Sequence, residues 1–271
     1  YTTLFRSDGK GDAYYLMDLA CADLDGDGLG ELGAVVGNTL FFLDDQAHEF
    51  KPIGTPVDFR NGDRNQGTAT LQFTHLAAAD LNGDGLDEIL ALHGVDGAAM
   101  SSWVLYGGSP AKELATGAVS DGQKSIQGGK VAIGDIDGDR RPDVVFAGPD
   151  SQNGDDKWWL LAARWDGTKL VFLPAHYEVK ADWGDHHLIG VDCFNPDGIE
   201  QSAKDSIAVH QQVVWWNADA GAFEKRFDFG WSGFRRDLII AGDVMGNRRE
   251  QVVQQGGGDM RVLGIDDAGN W

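Results

Sequence analysis

Short apolar runs alternate along the whole chain with clusters of Gly, Asp and Asn. The runs are rich in β-branched and aromatic residues, which suits strands bounded by turns. In the first part of the chain they predict strands at about 18–22, 32–36, 39–43 and 49–53. Later runs such as Trp103–Tyr106, Trp158–Leu161 and Val213–Trp216 have the same character. Asp44-Asp45 and Asp166-Gly167 read as turns joining third strands to fourth. No segment sustains a 3.6-residue apolar period, so helix is expected to be nearly absent.

The pattern repeats. Leu19–Leu32 returns as Leu76–Ile89 and again as Val131–Val144, each with an apolar run, an acidic loop and a second apolar run. Two decayed copies follow, from Leu188 to Val209 and from Ile239 to Val252. Taking the first loop Asp of the copies as 23, 80, 135, 192 and 243 gives spacings of 57, 55, 57 and 51 residues. Four short strands per repeat of this length specify an all-β fold, a β-propeller, because one blade cannot bury both its faces alone. Residues 1–271 thus read as a single propeller domain of five four-stranded blades. The last copy lacks a fourth strand, and Tyr1–Phe5 is expected to supply it, so that the N-terminal strand closes the last blade. The alternative is part of a six- to eight-bladed propeller.

The acidic loops carry the clearest chemistry. Oxygen side chains at alternate positions, a backbone carbonyl at position 7 and a carboxylate at position 9 are a hard-cation donor set. Calcium takes six to eight oxygens at about 2.3–2.6 Å. The first loop offers Asp23, Asp25, Asp27, the Leu29 carbonyl and Glu31. The second offers Asp80, Asn82, Asp84, the Leu86 carbonyl and Glu88, and the third Asp135, Asp137, Asp139, the Arg141 carbonyl and Asp143. Gly at positions 4 and 6 permits a tight bend, and Arg140 at position 6 of the third loop is expected to strain it. An EF-hand would need a Glu at position 12, where Ala34, Ala91 and Phe146 stand. Two to three structural Ca2+ ions are the expectation.

Charge narrows the partners. Asp+Glu number 43 against 22 Lys+Arg, a net −21. Nucleic acid is excluded as a default partner, since phosphates need a basic face. No apolar run reaches the roughly 18–20 residues of a membrane span. Gly is 38 of 271, about twice ordinary usage of roughly 7%, as a turn-rich fold requires. Cys21 and Cys193 read as buried free thiols. The start at Tyr1 reads as a mature form or an excised piece.

On the loop motifs the chain resembles the FG-GAP/VCBS calcium-repeat propellers, the family of the integrin alpha-chain N-terminal propeller. The resemblance covers most of the chain, although five blades make a smaller ring than that family usually builds. It implies a secreted protein whose calcium loops are structural staples and whose ligand sits on the opposite face. Relatives include adhesion modules, lectins and polysaccharide lyases or dehydratases.

That opposite face is where innermost strands begin and second strands end. Five residues before the loop Asp stand Asp18, His75, Lys130, His187 and Leu238, and second strands end near His93 and His210. Tyr14, Tyr15, Phe73, Trp183, Trp231, Phe234 and Arg235 map to the same rim. Flat aromatic rings beside polar groups suit a sugar, with Tyr14, Trp183, Trp231, Phe234 and Arg235 as candidate contacts. A lectin-like site for carbohydrate, or for a protein partner, is the first functional expectation. The second is a lyase or dehydratase, with His75, His187, His93 and His210 as proton acceptors and Tyr15 as proton donor. The third is an adhesion module of a larger protein.

Overall fold

A computed structural model describes residues 16–37, 39–46, 49–59, 72–95, 100–152, 154–179, 190–197, 204–228, 238–246, 248–256 and 259–264. It is an all-β, five-bladed propeller, with no helix among the described residues. Blade 1 runs β1 (Leu16–Ala22), β2 (Glu31–Val36), β3 (Thr39–Gln46) and β4 (Glu49–Pro52). A short β5 (Val57–Asp58) returns to β3 at Thr39 and Leu40, so the outermost position is filled in two pieces. Blade 2 is β6 (Gln72–Ala79), β7 (Glu88–Val95), β8 (Ser102–Gly107) and β9 (Lys112–Ala118). Blade 3 is β10 (Lys130–Gly134), β11 (Asp143–Asp150), β12 (Gly154–Trp165) and β13 (Leu170–Val179). Blade 4 is β14 (Val191–Phe194), β15 (Ser206–Val209), β16 (Gln212–Asn217) and β17 (Ala222–Asp228). Blade 5 contributes β18 (Leu238–Gly242), β19 (Gln251–Gly256) and β20 (Asp259–Leu263). Every pairing is antiparallel between sequence neighbours, apart from the β5 return. The expected closing strand, Tyr1–Phe5, lies outside the described residues.

Two readings of the sequence need correction. Asp44 and Asp45 do not form a turn: they lie in β3, opposite Lys51 and Phe50. The fourth copy is displaced by three residues. In blades 1 to 3 the residue before loop position 1 pairs with position 9, as Ala22↔Glu31, Ala79↔Glu88 and Gly134↔Asp143. In blade 4 that pair is Phe194↔Ser206, so Asn195 is position 1 and Asp192 lies within β14, opposite Ala208. An insertion between β14 and β15 allowed the more acidic residue to be aligned with the motif.

Burial lies between blades. Leu24, Val35, Leu40, Phe42, Leu76, Ile89 and Tyr106 join blades 1 and 2. Leu81, Leu90, Leu92, Trp103, Val144, Phe146 and Trp159 join blades 2 and 3. A third core holds Ile136, Val145, Trp158, Leu160, Ile207, Val214 and Trp216, and a smaller fourth holds Phe194, Val213, Ile239 and Val252. The period-2 alternation of a strand explains the adjacent tryptophans, as Trp158 enters the core on one side of blade 3 and Trp159 the core on the other.

Hydrogen bonds add a clamp across three blade junctions. The Asp87 N–H donates to the Asp23 carbonyl (2.8 Å), and the Asp23 N–H donates back to the Asp87 carboxylate (3.0 Å). Asp135 with Asp205, and Asn195 with Glu250, repeat the exchange. The clamping residue is position 8 of the next blade's loop. In blade 3 that position is Pro142, which has neither an N–H nor a carboxylate.

Candidate functional site

The three intact loops share one hydrogen-bond network. Position 1 accepts from the N–H of position 4 on one carboxylate oxygen and of position 6 on the other, as Asp23 does from Gly26 and Gly28. Asp80 and Asp135 repeat this with Gly83 and Gly85, and with Gly138 and Arg140. Position 3 accepts from position 5, and position 5 from position 7. Position 9 accepts from position 2, through Glu31 to Leu24, Glu88 to Leu81 and Asp143 to Ile136. The position 2 side chains are buried plugs in the inter-blade cores. Positions 4 and 6 bend through the left-handed region in all three loops, with Arg140 at φ 68° where its counterparts are Gly28 and Gly85.

These bonds occupy one oxygen each at positions 3, 5 and 9 and leave the second for a cation in loop 1. Asp23, Asp25 and Asp27 can each bring an oxygen within 4.8 Å of the others. Burial, then the charges of Asp25, Asp44 and Asp27, pushes the Glu31 carboxyl up. Burial, then Asp84 and Asp80, pushes Glu88 up to about 7. Acids so placed ionise readily only beside a cation. In loop 2 the Asn82 amide nitrogen donates to Asp84 and Glu88, while its oxygen accepts the Asp84 N–H and keeps a second lone pair for a cation. Both loops fit a hard cation by donor chemistry. Loop 3 brings Asp135, Asp137 and Asp143 equally close, but the Arg164 guanidinium donates to both Asp137 and Asp143. Burial nonetheless holds Asp143 up at about 7 against the opposing charge of Arg164.

On the opposite face the starts of β1, β6 and β10 bring Asp18, His75 and Lys130 together. His75 Nδ1 lies 3.1 Å from Asp18 Oδ2 and 3.1 Å from Lys130 Nζ. One nitrogen cannot donate to Asp18 and accept from Lys130 at once, so the position of a single proton selects the contact. Burial, with a further push from Lys130, holds the His75 pKa below its ordinary value despite Asp18. Burial likewise lowers Lys130. Burial opposes ionisation of Asp18, but hydrogen bonds from His75 and the Leu76 N–H outweigh it and hold the carboxyl low.

The other expected histidines fare differently. His93 is 8% exposed, stacks on Phe59 at 4.8 Å and contacts Thr74 Oγ1, and burial lowers its pKa. It is interior, not rim. His210 is 2% exposed, in the turn between β15 and β16. His187, Tyr14, Tyr15, Trp183, Trp231, Phe234 and Arg235 lie outside the described residues, and Phe73 is described only in its backbone. Cys21 is exposed rather than buried. Cys193 packs against the core of blades 3 and 4, where burial, then Asp192 and Asp205, pushes its thiol well up. A pair not anticipated from sequence is His176 with the buried Asp121, at 2.9 Å, beside the edge of Trp159. Its partners are 55 residues apart, and no local motif announces them.

No family model matches this chain. No curated protein matches it either. Solved structures do. One is the rhamnogalacturonan lyase YesW, with a TM-score of 0.61 and 18% identity over 96% of this chain and 51% of that chain. Another is BBS1N in complex with ARL6DN, with a TM-score of 0.52 and 11% identity over 91% of this chain and 65% of that one. The chain therefore spans about half the length of the lyase. At these identities the likeness concerns the fold.

Proposed function

We propose that this protein is a calcium-stabilised propeller that binds carbohydrate on the face opposite its acidic loops. The observation that carries the reading is the Asp18–His75–Lys130 cluster, where three successive innermost strands present an acceptor, a switchable ring and a cation side by side. Sugar hydroxyls both donate and accept, so a mixed row of this kind can pair with them in sequence. Lys130 adds a local positive charge for an acidic sugar on a chain that is otherwise strongly negative. The fold likeness to a rhamnogalacturonan lyase supports a carbohydrate ligand. Asp23, Asp25, Asp27 and Glu31, and Asp80, Asn82, Asp84 and Glu88, would hold calcium. The ion would tie each loop down and neutralise its acids. Extracellular modules bind calcium at roughly 10⁻⁴–10⁻³ M, which suits a secreted protein. The test is a polysaccharide array in calcium, rhamnogalacturonan included, with Lys130→Ala and His75→Ala alongside the parent. Binding lost in both variants is expected. Binding unchanged in both would move the site elsewhere, and a blank array would favour a protein partner.

A second reading is elimination from a uronate polymer, favoured by the same cluster. Burial holds His75 below its ordinary pKa, so the neutral ring is a proton acceptor near neutral pH, while Lys130 supplies the positive charge beside it. His75 would take the proton beside the sugar carboxylate, and the C–H electron pair would form the double bond as the bond to the neighbouring sugar oxygen breaks. Protonated Lys130 would give that oxygen a proton. Asp18 would orient His75. Incubation with uronate polysaccharides, followed by the absorbance of the unsaturated product, tests this. Turnover that survives the His75→Ala, Lys130→Ala double substitution would rule the assignment out.

A further inference from the structure

Loop positions 3 and 9 receive different treatment from blade to blade. In blade 3 they are Asp137 and Asp143, and the Arg164 guanidinium from β12 donates to both. In blade 4 they are Asp197 and Ser206, and Arg226 from β17 reaches both: Nη2 lies 3.0 and 3.1 Å from the two Asp197 oxygens, and Nη1 lies 3.2 Å from Ser206 Oγ. Two arginines on different strands therefore bridge the same two loop positions. In blades 1 and 2 positions 3 and 9 are Asp25 with Glu31 and Asn82 with Glu88, and among the described residues no arginine bridges them. Across blades 1 to 3 the neighbouring strand residue opposite position 9 accounts for the difference. It is Arg164 in blade 3, Asp44 in blade 1 and Gly107 in blade 2, following the pairs Val144↔Ala163, Leu32↔Leu43 and Glu88↔Gly107. Blade 1 thus adds a buried carboxylate where blade 3 adds a guanidinium, and blade 2 leaves the place without a side chain.

We propose that Arg164 and Arg226 are built-in counter-ions that take the place of a metal in blades 3 and 4, so that the chain binds divalent cations at loops 1 and 2 alone. A guanidinium is donor-only and stays protonated at all ordinary pH, so it excludes a cation both by charge and by engaging the carboxylate oxygens. The Asn82 amide carries no such veto, because it is neutral and its oxygen, which accepts the Asp84 N–H, has a second lone pair. Loop 3 keeps the whole backbone network of loops 1 and 2, so the motif alone does not distinguish an ion-binding loop from one held by arginine. This inference rests on the reading of loops 1 and 2 as calcium sites.

The test is calcium stoichiometry by calorimetric titration of the full chain stripped with chelator, with thermal melts as a second readout. Two ions are expected for the parent and three for Arg164→Gly, which installs the residue found in blade 2. Adding Asp137→Ala to Arg164→Gly, which removes the position 3 oxygen outright, should return the count to two. Three ions on the parent would overturn the proposal, as would a folded Arg164→Gly that still binds two. Should that variant fail to fold, Asp137→Ala in the parent decides: two ions retained supports the proposal, and one ion lost overturns it. A parent that binds none removes the calcium reading of loops 1 and 2. In that case one ion gained by Arg164→Gly would still support the arginine's role, and none gained would end both.

Discussion

The clamp between blades 1 and 2 can be removed by halves. Asp87→Ala keeps the backbone bond to the Asp23 carbonyl (2.8 Å) and deletes the carboxylate that accepts the Asp23 N–H at 3.0 Å. A hydrogen bond to a charged acceptor contributes about 1.5–3 kcal/mol, and an unsatisfied donor costs about 1–3 kcal/mol. The Asp23 N–H is only part-buried, so water recovers some of that. Loss of one negative charge next to Glu88 offsets a little more. The net expectation is about 1–1.5 kcal/mol of destabilisation, or a fall of roughly 2–5 °C in Tm for a domain of this size. Asp87→Asn retains an acceptor and should cost about half as much. Urea unfolding, run in calcium and in chelator, measures both variants. Because the clamp needs no ion, the loss should appear in both conditions. Asp87→Ala within about 0.3 kcal/mol of the parent throughout would refute the clamp.

Other outcomes follow from the loops and their plugs. Arg140→Gly relieves a left-handed residue worth about 1–2 kcal/mol, less about 0.5–1 kcal/mol for the freedom of glycine when unfolded. A small rise in Tm is expected, and a fall would show that the Arg140 side chain contributes more than its backbone costs. Leu24→Ala empties a fully buried plug and should cost about 2–4 kcal/mol in urea unfolding, whereas Val244→Ala at the same loop position of blade 5, 56% exposed, should change stability by less than about 0.5 kcal/mol. In chelator, stability should fall as pH rises from about 4 to 7. The folded-state values of Asp192 and Asp205 are raised to about 6, and those of Glu88 and Asp143 to about 7, so the folded state binds protons that the unfolded chain has released. Calcium should flatten that slope, and a chelated protein equally stable at both ends would contradict these environments.

Much of the fold was legible because a propeller writes each blade as a separate local sentence. Strand alternation, glycine bends and the acidic loop all act within a few residues, so the repeat showed blade boundaries without any long-range information. The expected first-blade strands match β1 to β4 within a few residues. The fourth blade was misaligned because its loop gave up the features that mark the motif. Pro196 at position 2 has no N–H for position 9 to receive, so Ser206 can stand there without a carboxylate. Asn195 at position 1 keeps the clamp to Glu250, yet reads in sequence as a weaker match than Asp192. In blade 5, Val244 has left the core and Gln251 replaces the acid at position 9, while the Arg248 N–H still donates to Asp243. Loops decay in sequence faster than in backbone course.

The chemistry on the two faces differs in legibility for the same reason. Loop donors lie two residues apart and can be read directly. Asp18, His75 and Lys130 lie 57 and 55 residues apart and meet only because each stands five residues before its loop. The repeat register therefore predicts their meeting, and it fails where register is lost. His93 and His210 were placed on the rim by counting from strand ends. His93, in β7, turns onto Phe59 and Thr74, and His210 sits in the turn after β15, so both rings are buried. Arg164 escaped altogether, since its partners at positions 3 and 9 belong to a loop two strands away in the sequence. What a loop motif can say is which oxygens are available. Whether a metal or an arginine meets them depends on side chains from strands further along the blade, opposite position 9 in blade 3 and on β17 in blade 4, and these are identified only once the strand register is known.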